Sequence, residues 1–234
     1  MERILEVSNL TKKIGDKEIL KGTSFSIAPN SIVGLMAPNG AGKTTLLKIL
    51  AGLTKKTSGE IIIGNAPLSE SSKSEVSFMP DANMLYSWFD VKDAVKFYKT
   101  FYPDFDTERC SELLSFMELN TQDSIKKLSK GTLERLMLAL TLSRRAKFYI
   151  LDEPFGGIDP IAKSKIIDSI LDHFPAEGSS LIFSTHLIKD VEKILSHVLF
   201  LKDGVIGLQG DCEELRGTYN KTIEELYMEV FGNA

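Results

Sequence analysis

Cysteine is almost missing from this chain. Cys110 and Cys212 are the only two among 234 residues, far apart and without CxxC spacing. That argues against a disulfide framework and a cysteine-based metal site, and it fits a reducing compartment. No apolar run approaches the roughly 20 residues that a membrane-spanning helix needs. Met1-Glu2-Arg3 leads into a strand-like run rather than a secretory leader. The expectation is a cytosolic chain that reaches any membrane through a partner. Basic excess is missing too. The net charge is −4, which argues against a general nucleic-acid binder. The local clusters Lys126-Lys127 and Arg144-Arg145-Lys147 read as solvated helix ends. There is no internal repeat, low-complexity tract or linker.

What is present suits one continuous globular unit. Apolar residues make up 43% of the chain and charged residues 26%, ordinary values for a folded domain. The length accommodates one large domain or a domain with an inserted lobe. Ile4 to Val7 and Glu18 to Ile27 read as strands broken by a Gly15-Asp16 turn and by Gly22. Ser31 to Ala37 is a compact apolar run typical of a buried strand. A turn-rich loop follows, then a helix from Lys43 to Leu53 with Leu46, Leu47, Ile49, Leu50 and Leu53 on its apolar side. Ile61 to Ile63 and Val76 to Met79 are further strands.

From Asp81 to Ala146 the pattern becomes helical. Val91, Ala94, Val95, Tyr98, Phe101 and Tyr102 recur at helical spacing behind Asp90 as N-cap. Thr107 to Leu119 and Thr132 to Ala146 follow. Strands return at Phe148 to Leu151, Ser180 to Ser184 and Val198 to Leu201, separated by helices at Ile161 to Phe174 and Leu187 to Ser196. A last helix covers Thr222 to Phe231. Alternating strands and helices predict an α/β fold with a mainly parallel sheet. Antiparallel strands precede it, and a helical lobe (81–146) is inserted into a core lobe made of 1–80 and 147–234.

The strongest chemical signal is Ala37-Pro38-Asn39-Gly40-Ala41-Gly42-Lys43-Thr44, followed by Thr45. It matches the phosphate-loop pattern GxxxxGK[ST], with Ala37 at the first glycine. Gly40 and Gly42 let backbone N–H groups wrap phosphates, and the following helix N-terminus adds partial positive charge. Lys43 is placed to reach the β- and γ-phosphates, and the Thr44 hydroxyl to ligate Mg²⁺. A second signal is Phe148 to Glu153: an apolar strand that delivers two carboxylates at its C-terminal edge, where ligands gather in open α/β sheets. Asp152 can hold Mg²⁺, and Glu153 can take a proton from attacking water.

A third segment, Leu128-Ser129-Lys130-Gly131-Thr132, leads into an apolar helix. Alone it reads as a capped helix start. Together the three segments resemble the ATPase subunits of ABC transporters, whose signature reads LSGGQ. Ser129 and Gly131 match the positions with which that family binds γ-phosphate. Gly156-Gly157-Ile158-Asp159-Pro160 resembles the family's D-loop, with Asp159 as its acid. Ser184-Thr185-His186 resembles the switch segment, whose histidine contacts γ-phosphate. The other two histidines, His173 and His197, match nothing and read as surface or packing residues.

The resemblance runs from about Leu5 to Phe231. It implies a P-loop NTPase core that binds and hydrolyses ATP with Mg²⁺ and drives translocation through a transmembrane permease. It implies a homodimer or heterodimer with a second ABC ATPase subunit, in which each ATP lies between one phosphate loop and the opposite signature. The chain would sit on the cytoplasmic face of the membrane, and Asn83 to Phe89, with Met84, Tyr86 and Trp88, would meet the permease. Short length, the lack of a C-terminal regulatory extension and the lysine-bearing signature lean towards bacterial exporters. Two other readings remain: a regulatory nucleotide-binding module with little turnover, and a soluble ABC ATPase of translation or DNA repair.

Some positions depart from the family pattern. Ile14 stands where an aromatic residue stacks on adenine. Asp81 stands where a glutamine senses Mg²⁺ and γ-phosphate, and a carboxylate only accepts hydrogen bonds and adds negative charge. With Ala37 and Lys130, these departures point to a weakened but active ATPase.

Overall fold

The computed structural model describes residues 3–156, 159–173 and 178–232. Gly157 and Ile158 of the D-loop segment, and Phe174 at the end of its expected helix, lie outside them. The elements run β1 (Leu5–Ile14), β2 (Lys17–Ile27), β3 (Ile32–Met36), α1 (Lys43–Leu50), β4 (Ser58–Ile63), β5 (Ala66–Pro67) and β6 (Val76–Met79). Then come α2 (Val91–Phe101), α3 (Thr107–Phe116), α4 (Lys130–Leu142), β7 (Phe148–Leu151), α5 (Pro160–His173), β8 (Ser180–Thr185) and α6 (Ile188–Val191). β9 (His197–Lys202), β10 (Val205–Asp211), α7 (Cys212–Tyr219) and α8 (Ile223–Phe231) complete the chain order.

The strands form two sheets. A six-stranded sheet has the order β10-β9-β3-β8-β7-β6, and a four-stranded sheet the order β2-β1-β4-β5. In the larger sheet β9, β3, β8, β7 and β6 are parallel, and only β10 pairs antiparallel, at the edge. The apolar runs explain the placement. β3, β7 and β8 are buried at every residue, as expected of parallel strands covered on both faces. The smaller sheet is antiparallel throughout, and β1 alternates buried and half-exposed positions over its first residues.

Side chains alternate across the parallel strands and feed two cores. Phe148, Ile150, Ile182, Val33 and Leu35 face α1 and the antiparallel sheet. Tyr149, Leu151, Leu181, Phe183 and Met36 face the core that includes α2 to α5. The helical segment between β6 and β7 therefore buries its apolar side on the same sheet that carries the phosphate loop. The Asp90 N-cap is present and is reinforced by Asp93, whose carboxylate accepts from the Asp90 N–H at 3.0 Å.

The structure corrects several readings. α1 stops at Leu50, because Gly52 turns left-handed at φ 68° just beyond it; Leu53 lies past the helix and is 61% exposed. The helix expected over Leu187 to Ser196 is one α turn, α6, followed by a 3₁₀ turn at Glu192–Ile194. β10 and α7 were not legible, since β10 is an edge strand whose residues are exposed or half-exposed. Arg144 is not a solvated helix end. It is 5% exposed, and its guanidinium donates to both Asp104 oxygens, to Val76 O at 2.7 Å and to Ser74 O at 2.9 Å. It also lies 4.2 Å from the Tyr102 ring centroid. A planar fork of donors can satisfy all these acceptors at once, so Arg144 ties the helical segment to the start of β6. Both cysteines are buried and unbonded to each other.

Candidate nucleotide site

The site begins in the loop after β3. Gly40 and Gly42 adopt φ 78° and 107°, values that side chains resist. A Cβ on Gly42 would also stand 3.0 Å from Ile19 Cγ2. Gly42 is the N-cap of α1 and offers no side-chain cap, so the first N–H groups of the helix can serve an anion. Ala37 is fully buried. Its carbonyl accepts from Lys43 Nζ at 2.8 Å, so the extra methyl has not distorted the loop away from its lysine.

β7 and β8 bring the remaining chemistry. Their register pairs Leu151 with Phe183, so the next residues, Asp152 and Ser184, emerge side by side. Ser184 Oγ donates to Asp152 Oδ1 at 2.8 Å. Burial pushes the Asp152 carboxyl up, against the lowering effect of the Ser184 and Thr44 hydroxyls. The Glu153 carboxylate sits between two partners. Oε1 is 3.3 Å from Lys43 Nζ and Oε2 is 3.0 Å from His186 Nδ1. Glu153 itself has φ 49°, a left-handed conformation uncommon for a side-chain-bearing residue. Lys43 is buried, while His186 is exposed.

A cleft of about 270 Å³ opens beside Lys43 and Glu153, without Asp152, Ser184 or His186 in its lining. It is lined by Ile19, Asn39, Gly40, Gly42, Lys43, Thr44, Thr45, Asp81 and Glu153. Asp81 is exposed two residues beyond β6 and lies with the phosphate-loop residues, in the same cleft rather than apart from it. Ala41 lines a neighbouring hollow with Pro38, Lys17 and Phe231. Ser129, Gly131, Asp159 and Ile14 do not line the cleft. Ser129 is the N-cap of α4 and accepts from Thr132 N at 3.2 Å. Ile14 ends β1 and is 57% exposed. Sequence reasoning passed over Ile19 and the Ala37 carbonyl as parts of the site, and it named Ser184 only as the first residue of the switch-like segment, with no role of its own. No residue-level pattern marks these contacts, because each is made by the fold.

The chain matches the ABC transporter family over residues 20–156, from within β2 to just past Glu153. The chain belongs to the ABC transporter family. It is an ATP-binding subunit and an ATPase whose hydrolysis is coupled to transport. It is 32% identical to an ABC transporter ATP-binding protein of Bacillus subtilis, YdbJ, covering 98% of this chain and 75% of that protein. It is also 32% identical to the lantibiotic transport ATP-binding protein SrtF of Streptococcus pyogenes, covering 96% of each. Its fold is that of a solved ATP-binding subunit of an ABC transporter, at a TM-score of 0.87, 24% identity, and coverage of 97% of this chain and 98% of the other. ABC ATPase domains of this kind work as dimers with transmembrane subunits. No helix among the described residues of this ABC ATPase is long and apolar enough to cross a membrane.

Proposed function

We propose that this ATPase hydrolyses Mg²⁺·ATP as one half of a head-to-tail pair on the cytoplasmic face of the membrane, and drives export through a permease. The observation that carries the reading is the seat of Glu153, held between Lys43 and His186 at the C-terminal edge of the parallel sheet. In this reading the phosphate-loop N–H groups and Lys43 hold the β- and γ-phosphates. Glu153 moves from Lys43 to the attacking water and accepts its proton, and His186 orients Glu153 and meets the γ-phosphate. Proton transfer of this kind contributes roughly 10²–10⁴-fold. Ser129 and Gly131 serve the partner's ATP rather than this chain's own, which accounts for their absence from the cleft lining. Asp159 would lie at the junction of the pair.

The residues fit Mg²⁺. Asp152 Oδ1 is taken by Ser184, while Oδ2 is buried without a hydrogen-bond partner. A hard oxygen beside the Thr44 hydroxyl suits a cation that takes oxygen ligands and keeps several waters. Thr44 and Asp152 would hold the ion, and Asp81 would reach it through water. When bound, the ion neutralises charge on the phosphates.

The permease contact is supported by an aromatic surface larger than the sequence suggested. Met84, Tyr86 and Trp88 are exposed, Tyr86 stacks on Trp88 at 4.6 Å, and a groove of about 410 Å³ continues along α2 past Phe97 to Phe101. Exposed apolar patches of this kind mark interfaces. The export direction is supported by the likeness to the lantibiotic transport subunit. Residues 81–146 would then act as the lobe that passes permease motion to the site. Calorimetric titration of ATP tests the site. Lys43→Ala should remove most of the binding, and unchanged affinity in that variant would refute the assignment.

A further inference from the structure

We infer that Ser184 is a positioning residue of this site: its buried hydroxyl sets which oxygen of Asp152 faces the cation and fixes the backbone of Glu153. The inference rests on the Mg²⁺·ATP reading above. Ser184 is fully buried at the end of β8, the strand between β3, which leads into the phosphate loop, and β7, which carries the carboxylates. Its Oγ lies 2.8 Å from Glu153 N and 2.8 Å from Asp152 Oδ1.

Proton accounting orders these bonds. A serine hydroxyl has one proton and two lone pairs. Glu153 N–H is itself a donor, so Oγ accepts there, and its single proton goes to Asp152 Oδ1. Asp152 is thereby held with Oδ1 occupied and Oδ2 free of any hydrogen bond. The same oxygen anchors the N–H of a glutamate at φ 49°, a conformation that persists only where its surroundings hold it. One hydroxyl thus sets both carboxylates, the metal-facing one through its side chain and the basic one through its backbone. A serine that merely filled space would have no reason to spend both bonds on Asp152 and Glu153.

Second-sphere partners of metal ligands typically change metal affinity or activity 10–100-fold when removed. The test is calorimetric titration of ATP with Mg²⁺ and with EDTA, on the full chain, alongside turnover against Mg²⁺ concentration. Ser184→Ala should lose about 10–100-fold in the Mg²⁺-dependent part of ATP affinity, raise the Mg²⁺ needed for half-maximal turnover, and leave metal-free ATP affinity unchanged. Ser184→Thr and Ser184→Val have the same shape and differ in the hydroxyl, so they cover the case in which the alanine variant fails to fold. The threonine variant should keep the Mg²⁺ response and the valine variant should lose it. If Mg²⁺-bound and metal-free affinities fall together, or if valine matches threonine, Ser184 is a packing residue and the inference is wrong. A wild-type protein whose ATP affinity does not respond to Mg²⁺ would overturn the underlying reading as well. A wild type that responds, with an alanine variant that responds equally, would overturn the inference alone.

Discussion

Glu153 touches a cation and an imidazole at once, and its substitution should separate binding from chemistry. Glu153→Gln preserves shape but removes the proposed base. The variant should bind ATP, lose turnover, and accumulate as an ATP-bound dimer on size exclusion; wild-type hydrolysis rates would remove Glu153 from its role. Ile14 poses the opposite case, a proposed base contact with little to offer. It is exposed at the β1–β2 turn and presents no π-face to a base. Ile14→Tyr should tighten ATP binding by about 1–3 kcal/mol, the range of a base–aromatic stack, and the wild type should discriminate poorly between ATP and GTP. Equal ATP affinities for the wild type and the tyrosine variant in a titration would mean that another group holds the base.

At the scale of the element, α4 carries a buried carboxylate two residues past the signature segment and one turn past Lys130. Glu134 lies 3.6 Å from Lys130 Nζ, and its Oε2 has no hydrogen-bond partner. Burial pushes the Glu134 carboxyl up to about 7, with the Asp81 charge adding to the effect and Lys130 opposing it. A raised carboxyl means that the folded chain holds a proton which the unfolded chain releases. The stability that this provides is fully present below the ordinary value of 4.5, falls as pH rises from there, and is lost above about 7. Glu134→Gln removes the penalty. It should leave the urea midpoint unchanged near pH 4.5 and raise stability by about 1–3 kcal/mol near pH 8. A midpoint shift that is the same at both pH values would show that Glu134 is not the titrating group.

At the scale of the whole molecule, Asp81 joins the site to the aromatic surface. It lines the cleft with Lys43 and Glu153, and the chain runs from it within a few residues to the exposed Met84, Tyr86 and Trp88. A carboxylate here is repelled by triphosphate unless a cation lies between them. Permease pressure on the aromatic segment would change that distance. Asp81→Gln should therefore raise basal turnover and shrink the stimulation given by the permease. Identical rates with and without the membrane subunit, in both forms, would break this coupling route.

The sequence by itself determined the local features of this protein. Glycines at positive φ, apolar runs buried on both faces, and carboxylates at a strand end are properties of short segments, and each was legible where it stood. The aromatic segment near Trp88 was legible too, though not its extension along α2 to Phe101, which needs the helix laid beside the loop. Tertiary structure decided what those features touch. Lys43 and Glu153 are far apart in the chain and meet because the sheet order sets β3 and β7 on either side of β8. Ser184 reaches Asp152 through the register of β7 and β8. Arg144, which composition casts as solvated, is buried because Asp104, Ser74 and Val76 converge on its guanidinium from distant parts of the chain. Backbone conformation follows from neighbouring residues, whereas pairing between strands depends on which surfaces the entire chain can bury together.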